Sequence, residues 1–434
     1  MAVATIAAAP TAIAGGTEAD TRRYTAGATQ IIMGLVMLLG FGLGTRTAHG
    51  ASTTFGMTLV SKQGTHVPDW VFPARPVIVA LAVVVVLLGA ARLAVQLPRR
   101  WRLIGTSVVL FCFTFAFMAW SAADPKGGER LILPSVLDSM VIAAVPLVLG
   151  ALGGVVGERS GVVNVAIEGQ LLFGGFMTAL VGTATHSLWI GVIAGVLAGA
   201  LMGLLLAVLA IRYLIEQVVL GVVLNLLALG VTGFLFKSLM QTNQNSYNNL
   251  TPFTTVRIPG LASIWVIGPV AFDQPLIVYI AVFLVVLVHL GLFHTRWGLR
   301  TRAVGEHPAA ADTVGVKVLR LRYRNVMLGG AFAGLGGAWL VGNVGNFTEN
   351  MTNGKGFIAL AAVIFGRWSP FGALAAAALF GFTDALASQT SSLQLPIPSD
   401  LLTTLPYVAT LFAVAGLIGR VRAPAADGKP YIKG

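Results

Sequence analysis

Charge is scarce in this 434-residue chain: Asp, Glu, Lys and Arg together make up 10% of it, against about 25% in soluble domains. An ordinary water-soluble fold is therefore excluded. Cysteine is nearly absent; the single Cys112 sits in an apolar run, so neither a disulfide within the chain nor a cysteine-based metal site can form. No Gly-x-x-x-x-Gly-Lys-Ser/Thr loop exists to cradle phosphate and hold Mg²⁺, and the nearest string, Gly354-Lys355-Gly356, lacks the upstream glycine and the hydroxyl. His-Glu-x-x-His and Gly-x-Ser-x-Gly are missing too, and the six histidines are scattered, which argues against a membrane protease or lipase. The chain should bind no metal or cofactor and catalyse no reaction of its own.

What is abundant is apolar. Hydrophobic residues make up 56% of the chain and the mean hydropathy is +0.85, values that predict a polytopic membrane protein. A bilayer crossing takes about 20 apolar residues. Stretches of that kind run over 28–44, 76–97, 104–121, 136–157, 162–184, 188–211, 217–238, 275–294, 325–343, 371–388 and 402–420. A shorter run, 356–366, spans only if tilted or buried in protein. The fold class expected is all-α: a polytopic helical bundle.

The net charge of +12 invites a nucleic-acid reading, but the basic residues fall in short clusters between apolar stretches and not in one stripe. They set orientation instead, placing Arg99, Arg100 and Arg102 inside, together with the seven Lys and Arg of 296–324. Counting 356–366 as a crossing gives twelve passes with both ends in the cytoplasm. Residues 1–27, whose Arg22 and Arg23 follow the small-residue stretch, read as a cytoplasmic tail and not a cleaved signal. Residues 28–103 then hold two extra N-terminal spans, 104–420 the main transmembrane domain, and 421–434 a second cytoplasmic tail.

Within this apolar background, Glu158-Arg-Ser-Gly-Val-Val-Asn-Val-Ala-Ile-Glu-Gly-Gln170 puts Asn164 and Glu168 inside a span. Hydrocarbon offers such side chains no partner, so they must face a bundle interior or a watery cavity and commonly mark a solute route. Glu168 capping a broken helix is the competing reading. Gln217 and Asn225, eight residues apart, share a face of one helix about two turns apart; they line a path or brace neighbouring helices. The stretch 161–175 is similar in rhythm to 354–366: a Gly-led polar entry, then a small-residue apolar run ending in Phe-Gly. Opposite starting sides would make these inverted units, five spans plus five with interrupted helices, and such units hold solute near the midplane. Gly329, Gly330, Gly334, Gly336 and Gly337 are spaced for close helix packing.

The run from Leu149 to Gln170 resembles the corresponding segment of permease subunits in the branched-chain amino acid and ribose class of bacterial ABC importers, nearest to the nucleoside (simple-sugar) subgroup. A second string, Arg302-Ala-Val-Gly-Glu-His-Pro-Ala-Ala-Ala, resembles the same class's Ala-Val-Gly-Glu-Asn-Pro-x-Ala-Ala segment, with His307 in place of the usual Asn. The resemblance covers residues 104–420; the first hundred match it poorly. It implies that Gly305, Glu306, His307, Pro308, Ala309 and Ala310 form a coupling helix docking on an ATPase subunit, with Pro308 in the helix's first turn. ATP and Mg²⁺ would be used by that partner.

The further partners implied are a second permease subunit, related or identical, an extracytoplasmic solute-binding protein and the lipid bilayer, with no nucleic acid, in the bacterial inner or plasma membrane. A nucleoside needs amide and carboxylate partners for its ribose and an aromatic surface for its base. Asn164, Glu168, Gln170, Gln217 and Asn225 are candidates for the first and Phe357 for the second. Three alternatives stay open: an ion-coupled secondary transporter using Glu168 and Asp384, an ABC permease for another sugar or a branched-chain amino acid, and a passive channel, which leaves the coupling-like loop unexplained.

Overall fold

A computed structural model describes residues 14–47, 50–59, 67–125, 128–391, 393, 404 and 422–433. Each expected apolar stretch from 28–44 to 371–388 is matched by a helix; 402–420 lies outside the described residues. Among the described residues, nine helices are long and apolar enough to cross a membrane. The protein is a multi-pass helical membrane protein, as its composition requires.

The chain divides into two compact units. The N-terminal unit holds α1 (Ala14–Val36, extended by a π-helical turn Met37–Gly42), α2 (Ala74–Ala94) and α3 (Arg99–Ser121). α1 already begins at Ala14, within the segment read from sequence as a tail. Gly27, Gly34 and Gly89 let α1 and α2 touch backbone to side chain, with no space for a methyl at any of the three. The connections form a small sheet: β1 (Ser52–Gly56) pairs antiparallel with β2 (Trp70–Pro73) and β3 (Ala123–Asp124), and parallel with β4 (Leu131–Ile132). Phe55, Trp70, Phe72 and Phe115 pack ring on ring around it.

The larger unit carries α4 (Leu133–Glu158), α5 (Ile167–Ala184), α6 (Leu188–Ala207), α7 (Gln217–Leu235), the short α8 (Gln244–Tyr247) and α9 (Ile267–Ala271), α10 (Leu276–His294), α11 (Arg296–Glu306), α12 (Pro308–Thr313), α13 (Val318–Val344), α14 (Lys355–Phe365) and α15 (Pro370–Ser391). A two-stranded ribbon, β5 (Thr255–Arg257) with β6 (Asp273–Pro275), precedes α10. α4 and α13 are the central helices: 78% and 72% of their apolar windows are buried, against 33% for α10. Glycines face each other where α13 crosses its neighbours, Gly329 against Gly153 of α4, and Gly330 and Gly334 against Gly199 of α6. Without side chains between them the backbones come within van der Waals contact, the dispersion-driven packing that replaces the hydrophobic effect in lipid.

Two helices of this unit are interrupted. The expected span 162–184 is helical only from Ile167, after a non-helical stretch 159–166. The expected run 356–366 is the eleven-residue α14, about 16 Å long at 1.5 Å per residue and so about half of a bilayer core. It follows a turn-rich stretch, 345–354. Gly161 and Gly354, the glycines that lead the two similar stretches, both adopt left-handed backbone, with φ of +85° and +80°. A side chain there would be strained.

Candidate functional site

Each interrupted helix begins with amide N–H groups that have no intrahelical partner. In lipid, such groups need protein acceptors. Glu168, in the first turn of α5, supplies them for α14: its carboxylate accepts from Gly354 N at 2.8 Å, Gly356 N at 2.5 Å and the Thr352 hydroxyl at 2.6 Å. Gly354, the N-cap of α14, has no side chain to do this. A methyl on Gly356 would overlap the Glu168 backbone, so the two helix starts are in direct contact. Glu168 is thus a cap supplied by one broken helix to the other.

The remaining amide candidates brace the break before α5. Asn225 Oδ1 accepts from Gly169 N at 2.8 Å and its Nδ2 donates to Val165 O at 2.9 Å. Gln217, first residue of α7, accepts from Val163 N at 2.7 Å; Glu216 caps α7 by accepting from Val218 N and Val219 N. Those backbone bonds hold the exposed Glu216 carboxyl below its usual range. Asn164 and Gln170 exchange amide hydrogen bonds at 3.0 and 3.2 Å. Gln217 and Asn225 therefore do share one face of α7, and it faces the 163–169 segment. All five polar residues are buried, at most 8% exposed, whereas Phe357 is 49% exposed. The structure brings the five together around one broken segment and spends their polar groups on protein; Phe357, at the start of α14, presents open surface.

A second cluster gathers at the basic end. Glu158 accepts from Trp368 Nε1 at 2.5 Å, and Arg159 donates to Trp368 O at 2.9 Å, so the 158–159 turn grips the far end of α14 as Glu168 grips its start. Arg322, 2% exposed, donates to Ser160 O and to Lys429 O at 3.0 and 3.1 Å. Ala426 N donates to Gly305 O at 2.8 Å and Ala425 N to the Glu306 carboxylate at 3.2 Å. A Cβ on Gly305 would run into Arg159 O. Next to it α12 starts at Pro308, with His307 Nδ1 accepting from Ala310 N at 3.2 Å. Histidine thus does the N-cap work for which asparagine is favoured. Glu306, His307, Ala309 and Ala310 are exposed.

Sequence reasoning missed Thr352, Gly354 and Gly356 as partners of Glu168, and it missed Trp368, Arg322 and the 424–429 segment. The Gly354-Lys-Gly356 spacing was the available signal, since two glycines bracketing a helix start imply close approach by another group. Among the described residues no cluster of His, Cys, Asp and Glu could hold a metal ion.

An ATPase-free chain of membrane helices with two interrupted helices and a capped, exposed helix at its basic end has the parts of a translocating subunit. The family model described as branched-chain amino acid transport system / permease component matches residues 136–415. This chain belongs to that permease family. Its matched residues take in both interrupted helices, α11–α12 and their partners on α7 and α13. Among curated relatives, the guanosine ABC transporter permease protein NupQ of Bacillus subtilis is 42% identical over 317 residues, covering 70% of this chain and 98% of the relative. The nucleoside ABC transporter permease protein NupC of Lactococcus lactis is 38% identical, covering 69% of this chain and 98% of its own. The putative glucose ABC transporter permease protein TsgC13 of Haloferax volcanii is 34% identical, covering 60% and 79%. No solved structure matches. The permease is a transport component of the plasma membrane and not an enzyme, and its family works with ATPase and solute-binding partners.

Proposed function

We propose that the permease carries nucleosides inward as the membrane subunit of an ABC importer, with an ATPase subunit docked on α11–α12, a second permease subunit beside it and an extracytoplasmic binding protein delivering the solute. ATP and Mg²⁺ act in the ATPase subunit. The observation that carries the solute class is coverage of almost the whole of two relatives named for guanosine and nucleosides, at 42% and 38% identity. Site chemistry supports it. Phosphate would require cationic partners, and the side chains bonded directly to the first turns of α5 and α14, Asn225 and Glu168, include none, which favours an uncharged solute over a nucleotide.

In this reading the solute passes beside the paired starts of α5 and α14, where Phe357 offers an aromatic face to the base. Asn164, Glu168, Gln170, Gln217 and Asn225 hold the broken segment in shape at the border of that path. α5 and α14 are equivalent parts of two inverted units, and alternating access moves those units against each other. ATP binding and hydrolysis drive the motion through Gly305, Glu306, His307, Pro308, Ala309 and Ala310. The relative named for glucose keeps a sugar as the second reading.

Uptake by the complete system tests both. Excess unlabelled guanosine or adenosine should block uptake of labelled nucleoside, free ribose should compete weakly, and leucine or a nucleotide should have no effect. Competition by glucose or leucine with none by nucleosides overturns the solute class.

A further inference from the structure

Val314 and Ile432 are 79% and 72% exposed, the highest values among the described large apolar side chains. Neither lies in a helix long enough to cross a membrane, so lipid tails do not account for them. Val314 directly follows α12 and Ile432 lies in the C-terminal segment, yet their neighbours line one recess of about 380 Å³, among them Asp312, Lys317, Arg320, Tyr431 and Lys433. The segment is firmly placed. Its backbone bonds Gly305 and Arg322, Tyr431 lines the recess together with Asp312, and Tyr431 packs on the small core of Val304, Ala311 and Val318 beneath α12.

We propose that this recess is a second ATPase-docking point, built jointly by the α12–α13 turn and the C-terminal segment, and that it receives an apolar side chain flanked by carboxylates from the ATPase subunit. The proposal rests on the reading of α11–α12 as the ATPase-facing loop. Val314 and Ile432, each next in sequence to a residue lining the recess, lose water only if a partner covers them. Three cations, Lys317, Arg320 and Lys433, line the recess against one carboxylate, Asp312. That balance favours an acidic partner. Continuity with α12 favours the ATPase over a lipid headgroup, because the bonds to Gly305 tie this surface to the coupling loop and not to the bilayer.

The test uses the assembled importer and measures ATPase co-purification with the permease as ATPase is diluted. Both rim residues are exposed, so Val314→Asp and Ile432→Asp leave the packing intact. Each should weaken ATPase retention about tenfold, the scale of loss when an interface anchor is replaced. Lys317→Glu with Lys433→Glu should weaken it as well. A cysteine at Ile432 should cross-link to the ATPase, because the one native thiol, Cys112, is buried. Retention unchanged in all these variants but lost in Ala309→Asp overturns the recess and leaves the coupling loop standing. Retention unchanged in Ala309→Asp also overturns both. Unchanged ATPase retention with reduced binding to vesicles containing anionic lipid assigns the recess to the membrane and overturns the proposal.

Discussion

Both ends of α14 are gripped by a glutamate, but the two joints differ in how fully their polar groups are paired. At its start, Glu168 accepts three hydrogen bonds and neither carboxylate oxygen is idle. At its far end, the Glu158–Arg322–Asp427 cluster leaves one buried atom unpaired on each side chain: Glu158 Oε1, Arg322 Nη2 and Asp427 Oδ1. Buried polar groups are ordinarily satisfied, and a fully paired network rigidifies while a partly paired one is easily rearranged. The first joint thus behaves as a fixed hinge pin between α5 and α14. The second keeps polar atoms without a protein partner, and its C-terminal segment bonds the α11–α12 region at Gly305.

The largest effect is expected at the pin. Glu168→Leu leaves the Gly354 and Gly356 amides and the Thr352 hydroxyl without an acceptor. At about 1–3 kcal/mol for each buried orphan, the loss should reach about 3 kcal/mol or more. Uptake should be abolished and thermal unfolding of the purified permease should drop by several degrees. Glu168→Gln keeps the shape and one acceptor oxygen, so it should lose about 1–2 kcal/mol and retain part of the transport. Normal uptake and unchanged unfolding in the Leu variant would remove the distinction between the two joints.

A smaller effect is expected at the second joint, and it should be partly reversible. Arg322→Met removes two carbonyl contacts and the positive charge that partly offsets the burial of Asp427, at a cost of about 2 kcal/mol, about 1 for each hydrogen bond lost. Adding Asp427→Asn discards the carboxylate left without that charge and should restore about 1 kcal/mol. Such non-additivity is the signature of side chains in one network. Strictly additive losses would show that Arg322 and Asp427 do not act together.

The membrane fold was legible because a bilayer imposes a length: each apolar stretch from 28–44 to 371–388 became a helix. The small sheet of the first unit was not, since strands of two to five residues carry no period of their own. For the site, the polar residues of 158–170 were found because charge and amide stand out in apolar sequence. Their partners were not found, because Glu168 bonds residues 184–188 positions away. Arg322 was hidden by a rule that otherwise works. A hydropathy window starts the span after Arg324 and leaves Arg322 among loop cations, whereas α13 begins at Val318 and carries that guanidinium into the bundle. Asn225 and Gln217 show the remaining limit: an amide serves equally as a pore lining or a brace, and composition alone does not choose.

The subtlest difference between the joints is their response to pH. Burial pushes the Asp427 carboxyl up to about 7, with the bond from Gly428 N and the Arg322 charge only partly offsetting it; Glu158 is a second carboxylate within electrostatic reach. A carboxyl whose pKa is higher in the docked segment than in the free one binds a proton more tightly when docked. Docking is therefore strongest at pH values below the ordinary carboxylate range and weakens as pH rises through about 7. Hydrogen exchange at Ala425 and Ala426, whose amides bond Glu306 and Gly305, should be slower at pH 6 than at pH 8 after correction for the intrinsic rate. Asp427→Asn keeps the shape and removes the titration, so its protection should be high and flat across that range. Equal pH dependence in wild type and Asp427→Asn would assign the effect to another group, and the second joint would then be as fixed as the first.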